Sequence, residues 1–149
     1  MSIKEILFKA CETFVNERLQ NVKQTISSNQ KALQSETKSS AGDKHETGRA
    51  MLQLEMEKAS QQLAGIVNMK TTLTKIDVYK TSKKVCLGSI VKTANINYFI
   101  AISAGKLRVL NEDYYAVSVS SPIGKLFLGK EERDTVSFNG KYIEIDDIF

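Results

Sequence analysis

Two long segments with helical periodicity, joined by a short polar stretch, constrain what this chain can fold into more than any other feature. Residues 2–34 carry apolar side chains at steps of three and four, and no Pro or Gly interrupts them. Residues 46–73 repeat the pattern, whereas residues 35–45 (SETKSSAGDKH) are rich in the Ser, Thr, Gly and Asp of turns. The sequence therefore predicts an antiparallel helical hairpin, a coiled coil, with its tip in the polar stretch.

Individual residues define the start of the first helix and the seam of the second. Ser2 is expected to cap the first helix, because Glu5 follows at the spacing of a capping box. Gly65 lies inside the second helix, where a glycine costs about 1 kcal/mol relative to alanine. The seam of the second helix advances in steps of four and three, and its predicted members are Leu52, Met56, Ala59, Leu63, Ile66, Lys70 and Leu73.

The second half of the chain has the composition of a small sheet. A lysine-rich connector without a clear period covers residues 76–84. From Val85 onward, β-branched and aromatic residues alternate with polar ones in short runs: VCLGSIVKT, NYFIAIS, YAVSVSS, TVSFNG and KYIEIDDIF. Residues 124–132 (GKLFLGKEE) favour a short helix or turn packed over the sheet. Turns are predicted at 103–105, 111–113, 121–122 and, as a hairpin, at Asn139-Gly140.

These patterns predict an α+β fold with two domains. The first domain, residues 1–77, is the coiled-coil arm with an acidic tip near residues 42–46. The second, residues 78–149, is a small antiparallel sheet domain. A long narrow hairpin buries little surface per residue, so we expect it to project from the sheet domain.

Charge is distributed unevenly along the chain, although its net value is only +4. Residues 68–110 hold eight Lys or Arg and one acid, and residues 130–149 hold three Lys or Arg and six acids. Two interpretations stay open: a solvated polar surface, or contact with nucleic acid or an acidic protein.

Composition also bears on compartment and redox state. No apolar run approaches the roughly 20 residues that span a membrane, and the first ten residues lack the features of a signal peptide. We therefore expect a cytoplasmic protein without a membrane partner. In that compartment Cys11 and Cys86 are expected to be buried free thiols.

Asp43 and Glu46 are the candidate catalytic and metal-binding residues. They lie three apart in the stretch GDKHE, at the predicted tip of the hairpin. Hard carboxylate oxygens suit magnesium, which needs only one or two protein carboxylates because it keeps several waters. The alternative is structural: Asp43 as a helix cap and Glu46 as its capping-box partner, since the spacing is the same.

Three basic residues are candidate nucleic-acid contacts at the tip. Lys44, His45 and Arg49 could meet a phosphate backbone, or they could serve only solubility. A self-contained active site is not expected, because the sequence has no P-loop, no G-x-G-x-x-G and no zinc ligand set. A Cys–His nucleophile would require a cysteine close to His45, far along the arm.

The C-terminal half resembles one known family. The string VSVSSPIGKLFLGKEERDTVSFNGKYIEIDDI (residues 117–148) is similar to the C-terminal domain of the Gre family of bacterial transcript-cleavage factors, and LGSIVKT (87–93) matches that family's opening strand. Gly42, Asp43 and Glu46 occupy the Gly-Asp-x-x-Glu pattern found at the tip of the family's coiled coil.

The resemblance implies a fold, a partner and roles for particular residues. Residues 78–149 would be an FKBP-like domain that docks on RNA polymerase, with Ser121, Pro122, Ile123 and Gly124 as the docking candidates. The arm would enter the polymerase secondary channel, where Asp43 and Glu46 would help to hold a magnesium ion shared with the polymerase.

The implied activity belongs to the polymerase. The chain, a monomer with no intrinsic cofactor, would stimulate the polymerase's own cleavage of the nascent RNA 3′ end in backtracked complexes. The resemblance also implies roles in transcription elongation and DNA binding.

Two further hypotheses stay open. The residues Thr47-Gly48-Arg49 after Glu46 differ from the family's usual Asn-Ala-Glu continuation, which favours a regulator that occupies the channel without promoting cleavage. The hairpin could instead be an oligomerisation arm and the sheet an interaction module, because the apolar seam permits pairing between chains.

Overall fold

The fold is α+β, as the sequence predicts. The computed structural model describes the backbone of residues 1–38 and 43–149 and the side chains of residues 1–35 and 47–149. Two long helices, α1 (Ile3–Lys38) and α2 (Asp43–Thr74), pack together as a hairpin. A small domain rich in antiparallel strands follows them in the chain.

Both helices extend further than the sequence predicts. The turn was expected over residues 35–45, but α1 continues to Lys38 and α2 begins at Asp43. Serine and threonine are only mildly unfavourable in helices, and packing along a hairpin readily outweighs that preference. The predicted cap is confirmed at the other end of α1, where the Glu5 N–H donates to Ser2 Oγ at 3.1 Å.

The apolar seam of α2 is confirmed with one correction. Ala59, Ile66 and Leu73 are buried, but the predicted seam residue Lys70 is exposed and Met69 is half-buried in its place. Ile66 and Leu73 keep their seven-residue spacing, and either the third or the fourth residue after Ile66 can lie between them. The apolar Met69 takes that position, and the charged Lys70 stays in solvent.

An asparagine interrupts the apolar seam of α1. Asn29 is only 7% exposed, and its Nδ2 has no hydrogen-bond partner among the described residues. A buried asparagine in a coiled coil costs stability and fixes the register of its helices. We infer that Asn29 restricts how α1 and α2 can slide along each other.

Seven strands and one short helix form the remainder of the chain. The elements are β1 (Ile90–Lys92), β2 (Asn97–Ala101), β3 (Gly105–Val109), β4 (Glu112–Ser118), α3 (Pro122–Phe127), β5 (Thr135–Phe138), β6 (Lys141–Glu144) and β7 (Asp147–Ile148). The five-stranded sheet has the order β3-β4-β2-β1-β7, and β5 and β6 form a separate hairpin. All neighbouring pairs are antiparallel except β2 and β4, which run parallel.

Two hairpin turns show where the sequence was informative and where it misled. Asn139 and Gly140 both have positive φ and connect the paired residues Phe138 and Lys141, which confirms the predicted turn. The turn expected at 111–113 is displaced: the chain reverses at Leu110-Asn111, with φ of 50° and 66°, and β4 already begins at Glu112. Leucine rarely adopts this conformation, so β3 was missed in the sequence.

The core of the sheet domain centres on α3. Phe127 is fully buried, and its ring centre lies 5.0 Å from that of Tyr98. Ile123 is buried beside it. The short helix or turn predicted over 124–132 is confirmed as a helix with other bounds: α3 begins two residues earlier, at Pro122, and ends five residues earlier, at Phe127. The other buried members of this cluster are Val85, Val91, Ile100, Val136 and Ile145.

The chain forms two compact units that do not follow chain order. One contains Met1–Phe14 together with Lys70–Phe149, and the other contains Val15–Met69. Within the first unit, the Lys4 ammonium donates to the Lys80 carbonyl at 2.9 Å. The division at residues 77/78 expected from the sequence stays a prediction. None of the helices in the described parts of the chain is long and apolar enough to cross a membrane.

We expect Gly65→Ala to raise the free energy of unfolding of the hairpin by about 1 kcal/mol. A Cβ at Gly65 meets no atom within 4 Å, so alanine adds helix propensity without a clash. Urea unfolding followed by the helical circular dichroism signal measures the change.

Gly124→Ala in α3 is the matched control and should change stability in the opposite direction. A Cβ there would overlap the Ser118 carbonyl oxygen, so a loss of about 1–3 kcal/mol is expected. An unchanged or lowered stability of Gly65→Ala would contradict the open environment assigned to Gly65.

Candidate functional site

The acidic tip is positioned by the start of α2. Asp43 is the first residue of the helix and Glu46 lies in the same first turn, at positions three apart that are neighbours on a helix surface. The side chains of Asp43, Lys44, His45 and Glu46 lie outside the described residues. The choice between capping and metal binding for the two acids is therefore left open.

Arg49 is the one predicted tip contact whose side chain the structure describes. It is exposed and lies one turn beyond Glu46 on α2. A solvent-exposed guanidinium provides a cation that can pair with a phosphate. The local sequence therefore combines acids and cations within two turns of one helix.

The chemistry of the donor set is compatible with a shared magnesium ion. Two carboxylates supply at most part of the six oxygen ligands that magnesium takes, and water or a second molecule must supply the others. Within the described side chains, no group of three or more His, Cys, Asp or Glu could hold a metal. Asp43 and Glu46 would therefore bind magnesium firmly only when another molecule completes the site.

The four docking candidates have defined local roles in the fold. Ser121 caps α3: its Oγ accepts from the Gly124 N–H at 3.1 Å and donates to the Ser118 carbonyl at 2.6 Å. Ile123 is buried, and Gly124 packs where a side chain would overlap Ser118. Only Pro122, the first residue of α3, is exposed and so available to a partner.

Exposed aromatic side chains were missed by the sequence analysis. Tyr142 on β6 is 82% exposed and Tyr79 in the connector is 81% exposed. Tyrosine is enriched at protein interfaces, because it contributes a large contact area and a hydroxyl group. Alternation along a strand shows which residues share a face, but it does not show which face is left uncovered.

Both cysteines are free thiols, as predicted, but the expected burial is confirmed only for Cys11 and is wrong for Cys86. Cys11 has no exposed surface, and burial raises its pKa to about 12. At neutral pH it is therefore a protonated thiol and a weak nucleophile. Cys86 is half-buried, with Sγ 3.5 Å from Ser89 Oγ.

Comparison with protein-family models and with curated proteins gives no match for this chain. The resemblance to the Gre family is carried by residues 87–93 and 117–148 and by the tip residues Gly42, Asp43 and Glu46. It stays a prediction.

Proposed function

We propose that this protein is a Gre-like transcription elongation factor. It binds RNA polymerase, inserts the hairpin into the secondary channel and stimulates cleavage of backtracked RNA by the polymerase. The observation that carries the proposal is the placement of Asp43 and Glu46 in the first turn of α2, where one long helix follows another. The RNA polymerase of the source organism is the partner to test.

The length of the helices supports delivery of the acids into a recessed site. At 1.5 Å per residue, α1 with its 36 residues is about 54 Å long and α2 with its 32 residues is about 48 Å long. A pair of helices is narrow enough to enter a channel that would exclude a globular domain. The acids lie at the end of α2 that is nearest the connection to α1.

The proposed chemistry assigns distinct tasks to the tip residues. Asp43 and Glu46 would hold a magnesium ion jointly with the polymerase. When bound, this ion would supply an activated water for in-line phosphodiester hydrolysis. Lys44, His45 and Arg49 would contact the RNA phosphates and so orient the RNA near the carboxylates.

Docking is assigned to the unit that contains the sheet. Pro122 is exposed at the start of α3, within the segment that resembles the family most closely. The other three candidates keep α3 in place, so they would act on docking indirectly.

We expect Pro122→Glu to weaken polymerase binding by about fivefold or more, because it places a charge in an interface. A glutamate in the first turn of a helix is favourable, so α3 should stay folded. Fluorescence anisotropy with labelled chain and purified polymerase measures the affinity. Asn95→Glu, at an exposed position in another loop, is the control. Equal affinities for both variants and the wild type would remove Pro122 from the interface.

A second candidate function is supported by the residues after Glu46. Thr47, Gly48 and Arg49 replace the family's usual continuation, which favours a protein that occupies the channel without promoting cleavage. Adding the chain to reactions that contain an authentic cleavage factor separates the two functions. Inhibition supports a competitor, whereas additive cleavage excludes one.

A further inference from the structure

A small apolar pocket lies within the unit formed by Met1–Phe14 and Lys70–Phe149. Its volume is about 280 Å³, just below the range of ligand sites, roughly 300–1,000 Å³. The pocket is therefore of a size for a small molecule. Its walls include four apolar side chains and two lysines: Ile3, Val78, Ile90, Phe149, Lys4 and Lys92.

Lys4 is an unusual residue to find in an apolar pocket. It is only 8% exposed, and its ammonium donates to one neutral acceptor, the Lys80 carbonyl, at 2.9 Å. An ammonium has three N–H donors, and no carboxylate of the described residues forms an ion pair with it. Burial lowers the pKa of Lys4, while electrostatic interactions with Cys86 and Asp77 partly oppose that shift. An anion in the pocket would offset the cost of the buried charge.

Lys92 places a second cation at the same pocket. Its Nζ lies 5.4 Å from the centre of the Phe149 ring and 3.8 Å from Glu112 Oε2. Both members of this ion pair are partly exposed, so the pair is weak and can be rearranged at little cost. The two lysines thus give an otherwise apolar pocket a positive character.

We propose that this pocket binds a small carboxylic acid with an apolar tail. The carboxylate pairs with Lys4 and Lys92, and the tail packs against Ile3, Val78 and Ile90. The pocket residues are neither those of the acidic tip nor those of the docking segment, so the proposal stands or falls independently of a role in transcription. Charge complementarity selects the head group, and the apolar walls select the tail.

Isothermal titration calorimetry of octanoate into the intact chain tests this proposal. We expect saturable one-to-one binding of octanoate at concentrations below micelle formation. Octanamide, which has the same tail without the charge, and acetate, which has the charge without the tail, should each bind at least tenfold more weakly. Equal binding of octanoate and octanamide, or no binding of octanoate, would overturn the proposal.

Lys4→Met tests the role of the buried ammonium. Methionine keeps an unbranched apolar side chain and removes the charge, so octanoate affinity should fall about tenfold or more. Lys125→Met, an exposed lysine on α3 of the same unit, should bind octanoate as the wild type does. An unchanged affinity of Lys4→Met would exclude Lys4 as the recognition group.

A measurement on the wild-type chain tests the pocket without relying on the Lys4→Met variant to fold. Amide chemical shifts in ¹⁵N-labelled protein should change on octanoate addition at residues 2–4, Val78 and 90–92. Changes confined to other parts of the chain would place the ligand elsewhere and overturn the proposal.

Discussion

Asp43→Asn/Glu46→Gln is expected to reduce transcript cleavage in backtracked elongation complexes by at least about a hundredfold. Both substitutions keep the size and polarity of the side chain but remove the charge that holds a divalent cation. Loss of one preorganised electrostatic contact to a transition state typically costs roughly 10²–10³ in rate. The measurement is the single-turnover rate of RNA 3′-end cleavage by the cognate polymerase, with saturating wild-type or variant chain.

The matched control is Glu55→Gln/Glu57→Gln. Glu55 and Glu57 are exposed on α2 beyond the tip, and their replacement changes the net charge of the helix by the same amount. This variant should stimulate cleavage as the wild type does. If it lost activity to the same degree, the effect would reflect the overall charge of the arm, and the specific role of Asp43 and Glu46 would be wrong.

Binding separates the two proposed functions. Asp43→Asn/Glu46→Gln should retain polymerase affinity, because the docking candidates lie in the sheet domain. A wild-type chain that binds polymerase but stimulates no cleavage would refute the cleavage function and support the channel-occupying regulator.

Phe127→Ala is expected to lower the free energy of unfolding by about 3–5 kcal/mol, the usual cost of removing a buried phenylalanine. Phe127 has no exposed surface, and it packs against Tyr98 and Ile123 at the centre of the sheet domain. Tyrosine fluorescence during urea unfolding is a suitable signal, because all five tyrosines lie between residues 79 and 142. A domain of ordinary stability, roughly 5–15 kcal/mol, would be left close to unfolding.

Tyr79→Ala is the control for loss of an aromatic side chain. Tyr79 is 81% exposed in the connector, so its removal should change stability by no more than about 0.5 kcal/mol. If Phe127→Ala had a similarly small effect, the central position of α3 in the core would be wrong.

Strong local patterns in the sequence predicted the fold, and the prediction was wrong where the local signals were weak. The seams of α1 and α2 and the Asn139-Gly140 turn follow from spacing and backbone preference, so the sequence revealed them. Strand β3 was missed because its turn uses Leu110, which has no turn preference. The exposed Lys70 was placed in the seam because residues 69 and 70 both fit the spacing between Ile66 and Leu73, and spacing alone does not distinguish them.

The sequence predicted less of the candidate site than of the fold. Asp43 and Glu46 could be selected from their spacing, but a capping box and a metal-binding pair share that spacing. Lys4 was taken only as part of a helical segment, because its burial depends on residues 78–92, which are distant in sequence. No local pattern reveals a contact across such a separation.

The first compact unit consists of two segments that are far apart in the sequence, which has a consequence for biosynthesis. Its first segment, Met1–Phe14, leaves the ribosome before Lys70–Phe149 is made. Synthesis adds roughly 5–20 residues per second, so the delay lasts several seconds. During that interval Leu7 and Cys11, both buried in the finished protein, lack the later part of the unit to which they belong. Early formation of the α1–α2 hairpin would bring Phe14 and Lys70 together and shorten the loop that must close afterwards. The arm would then act first as a folding nucleus, and a destabilising substitution in it would delay folding of the sheet.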